Sequence, residues 1–214
     1  MELIHYLQSY FITKEHLLRE SRLSQTELNE LIEKRLMPKA AYRLALNLKC
    51  DSFFGAHCDN SNLEFYPQGA LVWLGVVSQL RDEAQAFDVF SHRYKGQINR
   101  LKTQGFTTKN TKLNGNIDSH LSSEWQYFLD GIYGLCTKTG LPEDIANKEA
   151  AIIIINEYLA LEHDLSKTEL VKLHQAINLL DDASTQFAPH EREQSSRKRL
   201  IENVRAKFPA PSEL

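Results

Sequence analysis

The stretch IANKEAAIIIINEYLAL, residues 145–161, decides between a helical and a sheet-containing fold for this chain. Its four consecutive isoleucines, Ile152 to Ile155, would suit a buried strand, because β-branched residues are enriched in strands. The apolar residues around them nevertheless recur at helical spacing from Ile145 to Leu161, over more residues than a usual strand contains. A helix that is apolar all round must be surrounded by other elements. The stretch therefore predicts a buried central helix.

Helical signals dominate the rest of the chain. Two capping boxes, Ser24-Gln25-Thr26-Glu27 and Ser166-Lys167-Thr168-Glu169, each open a segment with apolar residues at helical spacing. A long helical pattern runs from Trp73 to Leu101, as one helix or as two joined near Gly96. No hairpin dipeptide flanked by alternating residues is present. The predicted fold class is all-α, with an N-terminal helix-turn-helix-like unit followed by a larger helical domain.

The predicted organisation has three regions. Residues 1–49 form the helix-turn-helix-like unit, whose third helix is expected at residues 40–48. Residues 50–68 are rich in turn formers and are expected to be a connecting loop, which its aromatic residues Phe53, Phe54, Phe65 and Tyr66 pin to the core. Residues 69–214 form the helical domain.

Composition narrows the class of protein. The chain has 214 residues, of which 42% are hydrophobic and 25% charged, as in ordinary globular proteins. Its net charge of −3 argues against a dedicated nucleic-acid binder, which usually carries a basic surplus. Three cysteines are too few for a disulfide framework. We expect a cytoplasmic protein with no membrane partner, because the sequence shows neither a signal-peptide pattern nor an apolar run of the ~18 residues that a membrane span needs.

Residues 12–44 have the outline of a helix-turn-helix, so duplex DNA is a candidate partner. In a DNA-reading unit the second helix enters the major groove and presents polar or basic side chains to it. Here that helix would carry Glu27, Glu30 and Glu33. These carboxylates oppose the electrostatic attraction on which non-specific affinity depends. Sequence-specific DNA binding is therefore disfavoured, although it stays an alternative.

The segment from Trp125 to Cys136 is unusual because it contains Gly131 and Gly134, three residues apart on one predicted helical face. Each glycine within a helix costs about 1 kcal/mol relative to alanine. We expect them to lie at the closest helix–helix approach, facing the helix that holds Ile152 to Ile155. The alternative is a pocket wall with Asp130 as a polar anchor.

Two groups of residues raise the question of a metal site. Cys50, His57 and Cys58 lack the usual spacing of zinc ligands, and we expect buried thiols and a surface histidine. His163-Asp164 resembles the signature of the HD metal-dependent phosphohydrolases, which need a further upstream histidine. His120 is the candidate, but the spacing is long. No metal and no cofactor are predicted.

Three stretches together resemble an uncharacterised bacterial family, a domain of unknown function described as a natural product biosynthesis protein. They are RLMPKAAYRL (35–44), EFYPQGALVWL (64–74) and WQYFLDGIYGLCTKTGLPEDIANKEA (125–150). The first departs from the family at Ala40 and Ala41, where a proline or serine is usual. The resemblance implies a link to natural product biosynthesis and gives no biochemical activity. The candidate pocket or packing site comprises Tyr66, Trp73, Trp125, Asp130, Gly131, Gly134, Cys136, Lys148 and Glu149.

The leading functional hypothesis is a non-enzymatic or accessory binding protein linked to natural product biosynthesis, so an enzyme is the less favoured class. Its partner would be an unidentified protein or a small molecule. The alternatives are a DNA-binding transcriptional regulator and an HD-type phosphohydrolase. None of the usual phosphate-binding or nucleophile motifs is present in the sequence to favour an enzyme.

Overall fold

The computed structural model describes residues 2–210 and is mainly helical, with one small sheet. The α-helices are α1 (Glu2–Tyr10), α2 (Lys14–Ser21), α3 (Gln25–Glu33), α4 (Ala70–Val77), α5 (Glu83–Thr103), α6 (Ile117–Leu129), α7 (Ile132–Cys136), α8 (Pro142–Leu159), α9 (Lys167–Ala183) and α10 (Asn203–Lys207). Short 3₁₀ turns cover Thr111–Leu113 and Arg192–Gln194, and a π-helical turn covers Arg197–Glu202. Over the described residues, no helix is both long and apolar enough to cross a membrane.

The sheet is the main departure from the all-α prediction. Its strands are β1 (Phe11–Thr13), β2 (Tyr42–Ser52) and β3 (Gly55–Pro67), all antiparallel in the order β1-β3-β2. The helix expected at residues 40–48 and the loop expected at residues 50–68 are therefore wrong. Both segments belong to one long hairpin, joined by a two-residue turn at Phe53 and Phe54, after which Gly55 takes a φ of +110°.

The helix predictions are confirmed where a capping box and apolar residues at helical spacing occur together. Ser24 and Ser166 each close the reciprocal pair of bonds that defines a capping box. The isoleucine run lies in α8, where Ile153, Ile154 and Ile155 are buried. The long pattern from Trp73 divides between α4 and α5 at residues 78–82, while Gly96 lies inside α5.

Three apolar clusters hold the fold together. The largest joins α4, α5 and α6 through Trp73, Phe90, Trp125 and Phe128, whose rings pack at centroid distances of 4.9–6.3 Å. A second lies between α8, α9 and the π-helical turn. The third contains Tyr6, Leu7, Phe11, Phe65 and Ala188. It ties α1 and the base of the hairpin to the C-terminal segment.

Candidate functional site

The aromatic residues of the predicted site belong to the core, and Trp125 also lines an open surface cavity beside Phe87 and Gln126. Trp73 and Trp125 are 1% and 3% exposed, and Tyr66 is 1% exposed. The indole nitrogen of Trp73 donates to the Leu36 carbonyl at 2.8 Å, and that of Trp125 donates to the Glu83 carboxylate at 2.9 Å. These bonds satisfy the polar atoms of two rings that otherwise pack against carbon. Both tryptophans therefore anchor helices.

The two glycines make close contacts, but with a different part of the chain from the one expected. Gly131 has a φ of +79° and separates α6 from α7, so the expected single helix is broken there. A Cβ atom on Gly131 would lie 2.7 Å from the Lys39 carbonyl oxygen. A Cβ atom on Gly134 would lie 3.1 Å from Pro67. The prediction that these glycines face α8 is wrong: Gly131 adjoins the backbone just before the hairpin, and Gly134 adjoins the Pro67 side chain at the end of β3.

Backbone and charge contacts strengthen this junction. The Lys39 amide donates to the Leu129 carbonyl at 2.9 Å, at the end of α6. The Lys39 ammonium lies 2.8 Å from the Asp130 carboxylate, and both side chains are about half exposed. Exposed ion pairs contribute little to stability. Asp130 therefore makes an exposed contact at the junction and is not a buried anchor.

Lys148 has an uncommon environment for a lysine. It is 7% exposed, its ammonium donates to the Cys136 carbonyl at 2.5 Å, and it lies 5.2 Å from the ring centroid of Phe187. Burial lowers the pKa of the ammonium, while the side chain of Cys136 opposes that change. The ammonium group donates to a carbonyl at the end of α7, where carbonyls have no hydrogen-bond partner within the helix. Cys136 and Lys148 thus join α7 to α8.

The remaining member of the predicted set, Glu149, belongs to a buried polar cluster that the sequence analysis did not identify. The Nε2 atom of His120 lies 3.8 Å from the Glu149 carboxylate, 3.7 Å from the Glu124 carboxylate and 3.4 Å from the Tyr94 hydroxyl. The Tyr133 hydroxyl donates to the other oxygen of Glu124. We call these five residues the His120 cluster. Lys112 lies 3.6 Å from Glu149 at its outer side.

Burial sets the protonation of the His120 cluster. Desolvation raises the pKa of Glu124 to about 7, against the lowering effect of the Tyr133 hydrogen bond. Desolvation also lowers the pKa of His120, with Glu149 opposing that change. Burial raises the pKa values of both tyrosines, so Tyr94 and Tyr133 stay protonated. At neutral pH the cluster can therefore gain or lose a proton at Glu124.

The sequence contains a weak signal for this cluster. His120 and Glu124 are four residues apart, so they share one face of α6. Their partners Tyr94 and Glu149 come from α5 and α8, and no spacing along the chain predicts that approach. The sequence suggests His120 only as a metal ligand, and no pattern in it singles out Glu124.

The described part of the chain contains no group of three or more His, Cys, Asp or Glu residues placed to hold a metal ion. The two histidines of the hydrolase hypothesis have different surroundings. His163 is exposed and its acidic neighbour is Glu169 at 3.9 Å, whereas His120 contacts Glu124 and Glu149. The geometry therefore gives that hypothesis no support.

The hairpin presents a second candidate site at its tip. Every residue from 47 to 60 is exposed, and we call this part the distal hairpin. Phe65 and Tyr66 are buried as expected, but Phe53 and Phe54 are each 96% exposed, so the prediction that they pin the segment to the core is wrong. Their rings meet edge to face with centroids 5.3 Å apart. The thiols expected to be buried, Cys50 and Cys58, are exposed on the same hairpin.

Comparison with known proteins gives one finding. No curated protein and no solved structure matches this sequence significantly. A family described as a family of unknown function (DUF6058) matches residues 86–209, which is more than half of the chain. The matched range contains the whole His120 cluster and begins after the hairpin. The chain therefore belongs to this family of unknown function, DUF6058.

Proposed function

We propose that this protein is an accessory binding protein whose hairpin tip docks into an apolar groove on a partner protein. One observation carries the proposal: Phe53 and Phe54, adjacent at the end of a projecting hairpin, are each 96% exposed. Large apolar side chains at such a tip are kept from collapse by the strands beneath them. Burying one of them on a partner would contribute on the order of 1.5–3 kcal/mol.

The hairpin tip is organised before any partner arrives. The backbone amide of Phe54 donates to the Ser52 hydroxyl at 3.3 Å, and the two rings already contact each other. Less conformational freedom is then lost on binding, which favours affinity. Aromatic side chains of this kind are the usual anchors of protein interfaces.

Charge on the distal hairpin favours an apolar groove over a phosphate backbone. Its charged side chains are Lys49, Asp51 and Asp59, so acids outnumber the lysine. A nucleic-acid or anionic membrane partner would need the reverse balance.

The test uses a photo-crosslinking amino acid at position 54 in the cells that produce the protein, with position 171 as the control. Val171 is also apolar and exposed, at 41%. Any partner captured only at position 54 is purified and titrated with the wild type by calorimetry. We expect Phe53→Ser/Phe54→Ser to weaken binding by about 100-fold or more, as the loss of two aromatic anchors implies. The matched change Val72→Ser/Val171→Ser should leave the affinity unchanged.

Equal affinity of the Phe53→Ser/Phe54→Ser variant and the wild type would refute the proposal. Loss of binding together with loss of the folded state would be recognised by denaturant melts of the same variants. Because residues 53 and 54 are fully exposed, we expect those melts to superimpose on the wild-type melt.

A second candidate, a DNA-binding regulator, is favoured by the order of elements at the N-terminus. The succession α1-β1-α2-α3-β2-β3 with strand order β1-β3-β2 resembles that of a winged-helix unit, in which α3 would be the reading helix and the hairpin the wing. Glu27, Glu30 and Glu33 are all exposed on α3 and oppose this candidate. A genomic-fragment selection at physiological salt separates the two functions. One enriched motif, lost on Thr26→Ala or Asn29→Ala, would establish the regulator.

The cellular context belongs to the same proposal. The resemblance of three sequence stretches to a natural product biosynthesis family supports a role in the bacterial cytoplasm beside a biosynthetic enzyme. Deletion of the gene, followed by comparison of secreted small molecules with the parent strain, tests that context. An unchanged metabolite profile under producing conditions would count against it.

A further inference from the structure

The outer edge of β2 carries unpaired backbone donors and acceptors along an exposed strand. The strand order β1-β3-β2 leaves one side of β2 without a neighbour among the described residues. Its pairing with β3 runs without interruption over eleven pairs, from Tyr42↔Phe65 to Ser52↔Gly55. Proteins usually protect such an edge with charged side chains, a bulge, a proline or a covering element. The register shows no bulge, β2 contains no proline, and residues 47–52 are exposed.

We propose that this edge pairs with the same edge of a second copy of the chain, antiparallel and centred on Cys50. In an antiparallel pair, directly opposite residues point to the same face of the sheet. A twofold axis at Cys50 places Lys49 opposite Asp51 of the second copy, and Asp51 opposite Lys49 of the second copy. The dimer would continue the sheet through both hairpins.

The placement of charge is what identifies a second copy as the occupant. Lys49 and Asp51 have opposite signs and lie one residue on either side of Cys50. The edge is therefore complementary to itself in this one register, as a symmetric interface requires. A shift of one strand by two residues keeps every side chain on the same face of the sheet, because side chains along a strand alternate with a period of two. Such a shift removes both charge pairs.

The fold leaves room for this contact. Every residue from 47 to 60 is exposed, so the distal hairpin lies clear of the helices. Leu48, which is 50% exposed, would be opposite Ser52 of the second copy and partly covered by it. The inference goes beyond the proposed function, since it concerns the strand edge and does not depend on a partner at Phe53 and Phe54.

Charge reversal tests the register on the full chain by analytical ultracentrifugation. We expect Lys49→Asp and Asp51→Lys each to weaken the dimer by roughly tenfold or more, because each creates two like-charge pairs. The double variant Lys49→Asp/Asp51→Lys restores both pairs in reverse and should recover the wild-type dissociation constant. Failure of the double variant to recover dimerisation, with a wild-type melting curve, would overturn the proposal. A wild type that stays monomeric at about 100 μM would also overturn it.

The native cysteines provide an independent readout of the same register. The two Cys50 residues would be directly opposite each other, with Cα atoms about 4.5–5.5 Å apart, which is within the range that a disulfide spans. Diamide, which accepts the two electrons and two protons of the thiols, should therefore link the copies. Cys58 is opposite Lys49 on β3, so it points to the other face from Cys50. Crosslinking should survive Cys58→Ser and disappear in Cys50→Ser; the opposite result would reject the pairing.

Discussion

Glu124 makes the stability of this protein depend on pH near neutrality, and Glu124→Gln measures that dependence. The side chain is 4% exposed and its pKa is raised from 4.5 to about 7, chiefly by desolvation. A carboxyl group with a raised pKa favours the folded state when it is protonated. Its contribution is therefore fully present below about pH 4.5 and is lost as the pH rises through about 7.

The size of the effect follows from the two pKa values. At 1.36 kcal/mol per pKa unit, the change from 4.5 to about 7 corresponds to about 3 kcal/mol. Glutamine keeps an oxygen that can accept the Tyr133 hydroxyl and carries no charge at any pH. We therefore expect Glu124→Gln to be more stable than the wild type by up to about 3 kcal/mol at pH 8.5, and similar to it at pH 5.

The assay is urea unfolding followed by the fluorescence of the buried Trp73 and Trp125, from pH 5 to pH 8.5. His120 acts in the opposite direction, because its lowered pKa removes stability as the pH falls below its usual 6.5. The difference between Glu124→Gln and the wild type cancels that contribution to first order. Glu162→Gln, at an exposed position, is the control and should show no such trend. A difference for Glu124→Gln that is constant across this pH range would refute the argument.

Three further outcomes follow from the geometry. Gly131→Ala should cost about 2 kcal/mol or more in urea melts, because its φ is +79° and the new Cβ would lie 2.7 Å from a carbonyl oxygen; Gly115→Ala, in open space, should cost under about 1 kcal/mol. Asp130→Ala breaks only the exposed pair with Lys39 and should cost less than about 1 kcal/mol by the same measurement. Elemental analysis of gently purified protein should find no equimolar transition metal, and a metal that disappears in His163→Ala would contradict this.

Sequence reasoning located the helices because their signals are local. A capping box at Ser24 or Ser166 is complete within four residues, and the periodic flanks of the isoleucine run identify α8. The hairpin was missed because its turn is Phe53-Phe54, whose composition gives no turn signal. Its strands contain asparagine and aspartate, which usually indicate loops. Those residues are tolerated because the distal hairpin is solvated on both faces and has no core to enter.

The predictions for the candidate site show the same difference between local signals and contacts that are distant along the chain. Gly131 and Gly134 were correctly identified as positions of close approach, since a costly residue within a helical pattern needs a packing reason. Their partner was assigned to the wrong element, because an antiparallel neighbour is the nearest choice along the chain. The actual partners are Lys39, just before the hairpin, and Pro67, the last residue of β3, and the composition of residues 50–68 predicts a loop there. The hairpin, which the sequence does not predict, therefore accounts for both the wrong loop prediction and the wrong partner of the two glycines.

The two candidate sites differ in how far their properties can extend to the family. The matched range, residues 86–209, includes Tyr94, His120, Glu124 and Glu149 but none of the hairpin. The proton equilibrium of the His120 cluster therefore concerns the part of the chain on which family membership rests. The binding and dimer proposals rest instead on the distal hairpin, residues 47–60, whose side chains are all exposed and belong to no core. The two parts meet at the junction at Gly131, where the Lys39 carbonyl lies against the break between α6 and α7. They also meet at the base of the hairpin, where the Tyr42 hydroxyl donates to the Glu191 carboxylate at 2.6 Å.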